Sequence, residues 1–205
     1  MAKIKLTKGE LKRQRDALRQ YERYLPILQL KKQQLQMEIG QQLALVDEKM
    51  RAESAKLAGI ESWLGLLAEP KVNIKQYIQP KEVITSWKNI AGVDLPVFER
   101  VEFNEVEYDL FLTPLWLDTA VEFFRSIVSL RQEVKLLEKG IEILRQELRI
   151  TTQRVNLFEK VKIPESEENI RVIKVYLGDQ MANAVGRSKI AKKKIEFGAL
   201  EEVLV

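Results

Sequence analysis

Apolar residues recur every three or four positions over two long stretches of this chain, one near each end. The first stretch runs from about Thr7 to Leu67 and is interrupted by a few polar residues, which is typical of an imperfect coiled-coil seam. Thr7 and Glu10 have the spacing of a capping box and predict the helix start. The main seam positions are Leu11, Leu18, Leu25, Leu28 and Leu35.

The second stretch has a cleaner pattern. Apolar residues recur every seven positions from Ala120 to Val155, and Thr151 is the one polar residue at the companion positions. A heptad repeat of this length predicts a left-handed supercoil with a partner helix. Thr113 followed by Pro114 predicts the helix start, because proline tolerates the first helical position. The seam positions are Ile127, Val134, Ile141, Leu148 and Val155.

The residues between these stretches have a different pattern. Pro70, Pro80, Pro96 and Gly92 disfavour a long helix there. Apolar and polar residues alternate over Val101–Tyr108, which predicts a short β-hairpin turning at Asn104 and Glu105. Residues 81–90 are predicted to form a small helix.

These patterns predict a mainly α fold, a long antiparallel two-helix coiled coil with a small insert containing a short β-hairpin at the closed end. The predicted segments are 1–68, 69–112 and 113–205. At about 1.5 Å per residue a helix of fifty residues is ~75 Å long, so we expect a rod with a knob at one end. Trp63, Trp87 and Trp116 are expected to pack in the core, although a partner contact is the alternative.

Two prolines interrupt the helical pattern. Pro26 stands in the middle of the first long helix and Pro164 in the second. Proline removes a backbone hydrogen bond and crowds the preceding turn, which costs about 3 kcal/mol and bends a helix. The hypothesis is that both prolines bend the rod at a similar height. The alternative is that one or both simply end a helix.

The segment beyond about Asn183 has no predicted partner helix and is basic. Its cations are Arg187, Lys189, Lys192, Lys193 and Lys194. A solvated basic tail is the simpler interpretation, and a tip inserted into an acidic or dipole-lined hole is the alternative. Upstream, Glu165, Glu167 and Glu168 are interpreted as acidic residues at a helix start rather than as a metal site.

Composition excludes several functions. The 205 residues carry a net charge of +4 and contain neither Cys nor His, which removes disulfides, catalytic Ser-His-Asp triads and imidazole zinc sites. There is no phosphate-binding G-x-x-x-x-G-K-[ST] loop, and we expect no cofactor. No apolar run approaches the roughly 20 residues of a membrane span, and the first residues lack a signal peptide's apolar core. We therefore expect a soluble protein that can attach to a membrane complex.

Several stretches, taken in order, resemble the D subunit of the V/A-type ATPases, and the bacterial branch most closely. "KLTKGELKRQRDALRQYERYLPILQLKKQQLQ" carries the resemblance near the start, and "GVDLPVFERVEF" with "YDLFLTPLWLD" carries it in the middle. "RVNLFEKVKIPESEENIRVIKVYLGDQ" and "GRSKIAKKKI" carry it near the end.

The resemblance implies a non-catalytic central-stalk rotor shaft on the cytoplasmic face of the membrane. Its implied partners are the A and B subunits of the catalytic hexamer, the F subunit, and the C (or d) subunit that leads to the membrane ring. The implied work is torque transmission between ATP synthesis or hydrolysis and transport of protons or sodium ions. The alternatives are a coiled-coil scaffold or tether without a rotary role, and a basic helical protein that binds nucleic acid.

Overall fold

The computed structural model describes residues 4–60, 65, 74–104 and 113–203, with side chains described as far as Glu196. Its helices are α1 (Lys8–Ala58), α2 (Lys75–Ile78), α3 (Leu117–Leu157) and α4 (Ile163–Val203), and a π-helical turn, Phe158–Lys162, joins α3 to α4. Two strands, β1 (Pro80–Ile90) and β2 (Val93–Phe103), form one antiparallel sheet. The prediction of a mainly α fold with a small β-hairpin is confirmed.

Helix α1 begins where its capping residues predict. The Glu10 backbone N–H donates to Thr7 Oγ1 at 3.3 Å, so the threonine satisfies one of the free donors of the first turn. The helix ends at Ala58 rather than near Leu67. Gly59 follows at once and its N–H bonds to the Lys56 carbonyl, which is a tight turn in place of a further helical turn.

The chain forms two compact units, and α1 and the helical segment from α3 onward contribute to both. The central unit comprises residues 31–151. In it, α1 and α3 run antiparallel and bury Leu35 and Leu144 completely, together with Leu95 from β2. A second buried cluster joins Val46 of α1 to Val134 and Ile141 of α3.

The β-hairpin lies earlier in the chain than predicted. Residues 81–90 form β1, not a helix, because Val83, Ile84 and Thr85 are β-branched and favour a strand. Ile90 pairs with Val93, so the turn consists of Ala91 and Gly92, not Asn104 and Glu105.

Both turn residues have positive φ, 52° for Ala91 and 77° for Gly92, as a two-residue hairpin turn requires. The Asn89 side chain secures this turn: its Oδ1 accepts from the Gly92 N–H, and its Nδ2 donates to Asp94. The second half of the predicted hairpin, 105–108, lies outside the described residues.

Helix α3 begins at Leu117, three residues after the predicted Pro114. The Leu117 N–H bonds to the Pro114 carbonyl, so the proline stands in the turn that leads into the helix. Trp116 packs beside the buried cluster of Tyr77, Leu117 and Val121, as expected. Trp87 is 69% exposed on the hairpin, which contradicts the expectation of core packing, and Trp63 lies outside the described residues.

The terminal unit comprises the described residues 4–30 and 152–203. Tyr21 of α1 packs on Phe158 of the π-turn with ring centroids 5.1 Å apart. Closer to the chain ends, Ile170 and Ile173 of α4 are buried. From Gly178 to Glu196 every residue of α4 is exposed, so that part of the helix lacks an apolar partner surface in this chain.

Candidate functional site

The predicted seam residues all face into the helix pairs. Leu35, Ile127, Val134, Ile141 and Val155 are buried, and Leu11, Leu18, Leu25, Leu28 and Leu148 are half-buried. The seam residues of α1 are more exposed to solvent in the terminal unit than in the central unit. The hairpin accounts for part of this difference, because Leu95 covers Leu35 and Leu144 from outside the helix pair.

Three ion pairs cross between α1 and α3 in the central unit. Lys31 Nζ lies 2.7 Å from Glu147 Oε1, Lys49 Nζ lies 2.9 Å from Glu133 Oε1, and Arg131 Nε pairs with Glu53. Residue numbers rise along α1 as they fall along α3, so the pairs define an antiparallel register. Each pair is half-exposed and contributes only about 0–1 kcal/mol. A slip of one helix along the other would break all three together.

The π-turn corrects a phase error in the heptad repeat. Buried or half-buried residues follow the repeat to Val155 and Phe158, then resume at Ile163, Ser166, Ile170 and Ile173. Ile163 follows Val155, and Ser166 follows Phe158, by eight residues instead of seven. A π-helix winds more residues into each turn than an α-helix, so the extra residue is absorbed and α4 keeps its apolar side toward α1.

The same turn also accommodates Pro164. The Ile163 N–H bonds to the Phe158 carbonyl, five residues back, and Pro164 is the second residue of α4. In a continuous α-helix the proline ring would crowd the carbonyl four residues earlier, that of Lys160. The wider turn relieves that crowding. The sequence contains this eight-residue spacing between Val155 and Ile163. The heptad pattern did not reveal it, because the seven-residue repeat was followed only as far as Val155.

The two prolines of the bend hypothesis both belong to the terminal unit. Pro26 lies inside α1, which continues past it. Pro26 is five residues beyond Tyr21 and Pro164 is six beyond Phe158, and the two helices run in opposite directions from that aromatic contact. The prolines are therefore separated by about 15 Å along the helix pair, or about three turns.

The basic residues near the end of α4 are all exposed. Lys192 Nζ lies 3.7 Å from Glu196 Oε1, which is the one salt bridge of this group within the described part of the chain. The five cations occupy positions spread around the helix, not a single face. They are Arg187, Lys189, Lys192, Lys193 and Lys194.

Glu165, Glu167 and Glu168 do not mark a free helix start, which corrects the sequence interpretation. Helical structure is continuous from Leu117 to Val203, so the backbone N–H groups near them are not the free donors of a first turn. Glu165 pairs with Lys162 at 3.1 Å, and Glu168 accepts two hydrogen bonds from Arg171. The hydrogen bond from Arg171 lowers the pKa of Glu168.

These features define a class of protein, a mainly α protein built on antiparallel coiled-coil pairing with a β-hairpin packed on it. The profile of the family described as the D subunit of ATP synthase matches residues 10–193. The D subunit of the V-type ATP synthase from Borreliella burgdorferi is 45% identical over 195 residues, covering 95% of this chain and 96% of the relative. The same-named protein of Chlamydia caviae is 34% identical over 197 residues, or 95% of both chains.

The chain belongs to the ATP synthase D-subunit family. The resemblance found in the sequence is thereby confirmed, as is its bacterial character, and so is the interpretation of the chain as the central-stalk subunit of a V-type rotary ATPase. Among the described residues no helix is both long and apolar enough to span a membrane.

Removal of Lys160 tests the account of the π-turn. The deletion restores an unbroken seven-residue repeat but places the proline ring in a regular α-helix, so we expect it to destabilise the chain by about 3 kcal/mol. Combining the deletion with Pro164→Ala should recover at least the parental stability, because the helix is then regular and in phase. Urea unfolding followed by circular dichroism measures both variants. Equal stability of the single and double variants would contradict the account.

Proposed function

We propose that this chain is the non-catalytic rotor shaft of a V-type ATP synthase. It carries torque between a hexamer of A and B subunits, where ATP is made or hydrolysed, and a membrane sector that moves protons or sodium ions. The observation that carries the proposal is the match to D-subunit relatives over about 95% of both chains.

The packing of the central unit suits torque transmission. A shaft must resist relative sliding of its helices, and apolar knobs seated in holes on a facing helix resist such sliding sterically. The three cross-helix ion pairs add a register constraint at points spread from Lys31 to Glu53. Weak ion pairs are sufficient to constrain the register. If one helix slipped along the other, all three pairs would be lost while their charged groups stayed half-buried.

A non-catalytic role agrees with the chemistry available. The sequence contains no His, no Cys and no phosphate-binding loop, so an imidazole base, a thiol nucleophile and this kind of nucleotide-binding loop are missing. The A and B subunits supply catalysis in this proposal. The chain itself is peripheral on the cytoplasmic face, held by protein partners, with no cofactor, no nucleic acid and no membrane insertion.

The basic end of α4 is proposed as the bearing tip inside the hexamer. Its five cations point in several directions and are nearly free of partners among the described residues. Long cationic side chains can exchange among several acceptors on a surrounding wall, and each exposed pair contributes only about 0–1 kcal/mol. The tip can therefore turn without settling into one deep energy minimum.

The hairpin is proposed to cap the helix pair on its inner face and to contact a neighbouring protein of the complex on its outer face. Leu95 packs on Leu35 and Leu144, which accounts for the cap. Trp87 is left exposed, and tryptophan is enriched at protein interfaces. The F subunit and the C (or d) linker are the partners expected from the family resemblance.

Pro26 and Pro164 are proposed to give the shaft the asymmetry that a rotor needs. Three chemically identical catalytic sites differ at one instant only if something asymmetric presses on them differently. Two prolines about three turns apart, each perturbing one helix of the terminal unit, provide local asymmetry.

Co-purification tests the rotor assignment. The full chain carrying an affinity tag on its insert should recover A and B subunits with ATPase activity from its native membranes, whereas a chain truncated after Gly186 should recover them in reduced amount, because the bearing tip is lost. Substituting only Lys174→Glu, outside the tip, is the control. Recovery of other proteins without A and B would favour a scaffold or tether, and strong salt-sensitive binding to DNA would favour the nucleic-acid alternative.

Replacing both prolines tests the proposed asymmetry. In the assembled complex, Pro26→Ala with Pro164→Ala should lower the number of ions moved per ATP hydrolysed while leaving assembly intact. Pro114→Ala, which changes a turn before α3, is the matched control and should leave that ratio unchanged. An unchanged ratio in the double variant would remove the bend from the mechanism.

A further inference from the structure

The side chain of Arg125, on α3, contacts both ends of the β-hairpin. Its Nε donates a hydrogen bond to the Tyr77 carbonyl at 3.0 Å, and its Nη2 donates to the Asn104 carbonyl at 3.0 Å. Tyr77 lies just before β1 and Asn104 directly follows β2, so one guanidinium joins both ends of the hairpin to α3. The guanidinium carbon also lies 5.1 Å from the centre of the Phe103 ring, which is a cation–π contact.

The backbone pairing of the hairpin is weak at the end that Arg125 binds. Pro80 and Phe103 form the last pair of the two strands, and a proline has no N–H to donate to its partner. The register also shifts between Pro80 and Glu82. The Tyr77 carbonyl lies in the last turn of α2, where carbonyl groups lack a partner within the helix. Arg125 therefore supplies a link that neither the sheet nor α2 provides.

The two ends of the hairpin differ in their other support. Tyr77 is buried in a cluster with Leu117 and Val121, so apolar packing also holds the segment before β1 against α3. Asn104 is exposed, and the hydrogen bond from Arg125 to its carbonyl ties the end of β2 to the same helix. We therefore expect the end of β2 to depend on Arg125 more than the start of β1 does.

A second attachment lies near the turn of the hairpin, where Leu95 is 4% exposed and packs with Leu35 and Leu144. At 1.5 Å per residue, Leu144 lies about 28 Å beyond Arg125 along α3. At about 3.3 Å per residue, β2 extends about 26 Å from Phe103 to Leu95. These lengths agree, so the hairpin lies along α3 and is attached to it at two distant points.

The packing between the two attachments is incomplete. A groove of about 240 Å³ opens there, with Pro96 and Phe98 of the hairpin on one side and Leu136 and Gly140 of α3 on the other. The middle of the hairpin is therefore held less firmly than the attachment at Leu95. Without the contacts of Arg125, the end of β2 could pivot about that attachment.

We propose that Arg125 is a positioning residue that fixes the base of the hairpin to α3, so that the hairpin is held at both ends and does not pivot about Leu95. A planar guanidinium suits this role, because its donors have fixed directions and can reach two carbonyls at once. The surface between the attachments, which includes the exposed Trp87, thereby keeps one orientation on the helix pair. The proposal goes beyond the rotor role, because such an attachment would hold the hairpin in a static scaffold as well.

Amide hydrogen exchange of the full chain tests the attachment. Arg125→Ala should speed exchange over residues 100–104 by about tenfold or more, the fold-change expected from losing a hydrogen bond to a charged group, and should leave residues 88–95 at the parental rate. Arg125→Lys, which keeps the charge but cannot span both carbonyls, should give a smaller rise over 100–104. Arg131→Lys is the matched control, since a lysine on the same helix can still pair with Glu53.

Distances between pairs of spin labels test the position of the hairpin directly. The chain has no cysteine, so labels can be placed at chosen exposed residues. Asn104→Cys with Lys139→Cys reports the base of the hairpin, and Lys88→Cys with Lys139→Cys reports the end near the turn. Arg125→Ala should broaden the first distance distribution and leave the second unchanged, whereas Leu95→Ala should broaden the second more than the first.

Three results would overturn the proposal. They are parental exchange over residues 100–104 in Arg125→Ala, an equal change at both ends of the hairpin in that variant, and the same rise in Arg131→Lys as in Arg125→Lys. Circular dichroism shows whether Arg125→Ala is folded, and Arg125→Lys provides the comparison if it is not. The rotor assignment is judged separately, by whether A and B subunits accompany the chain from its native membranes.

Discussion

Antiparallel packing of α1 on the helical segment that follows the hairpin is the constraint on which the other features depend. In the central unit, Leu35 and Leu144 are fully buried against each other's helices, and Leu95 of the hairpin completes the cluster. Burial of a leucine contributes roughly 1.5–3 kcal/mol, more than any one of the exposed ion pairs, so apolar packing provides the stability. The ion pairs act on register, because charges meet only when the helices are correctly aligned.

The helical pattern could be predicted because it repeats. Seven-residue spacing identified the seam from Ile127 to Val155, and Thr7 identified the start of α1 through a single hydrogen bond that the structure contains. The hairpin was placed wrongly because its turn, Ala91 and Gly92, includes an alanine at positive φ, which local sequence rules disfavour. Asn89, which stabilises that turn through its side chain, was the available signal.

Pro164 was interpreted from the sequence as the site of a bend. The structure shows in addition that the residues just before it form a π-turn, which restores the phase of the apolar repeat. One extra residue between Val155 and Ile163 requires a local change in winding, and the π-turn supplies it just before the proline. The basic residues at the end of α4 were visible from composition. Their partners could not be predicted, because the sequence around an exposed lysine does not indicate which surface it contacts in an assembly.

The central claim is that the paired helices turn as one body, without sliding past each other. The most direct measurement joins them covalently: Lys49→Cys and Glu133→Cys, which replace a cross-helix ion pair, are linked by a short thiol reagent in the assembled complex. Each single-cysteine variant treated with the same reagent is the control. The account predicts that ATP-driven rotation of the linked complex continues at the rate of the controls. Rotation that stops on linking and resumes when the link is cleaved would contradict it.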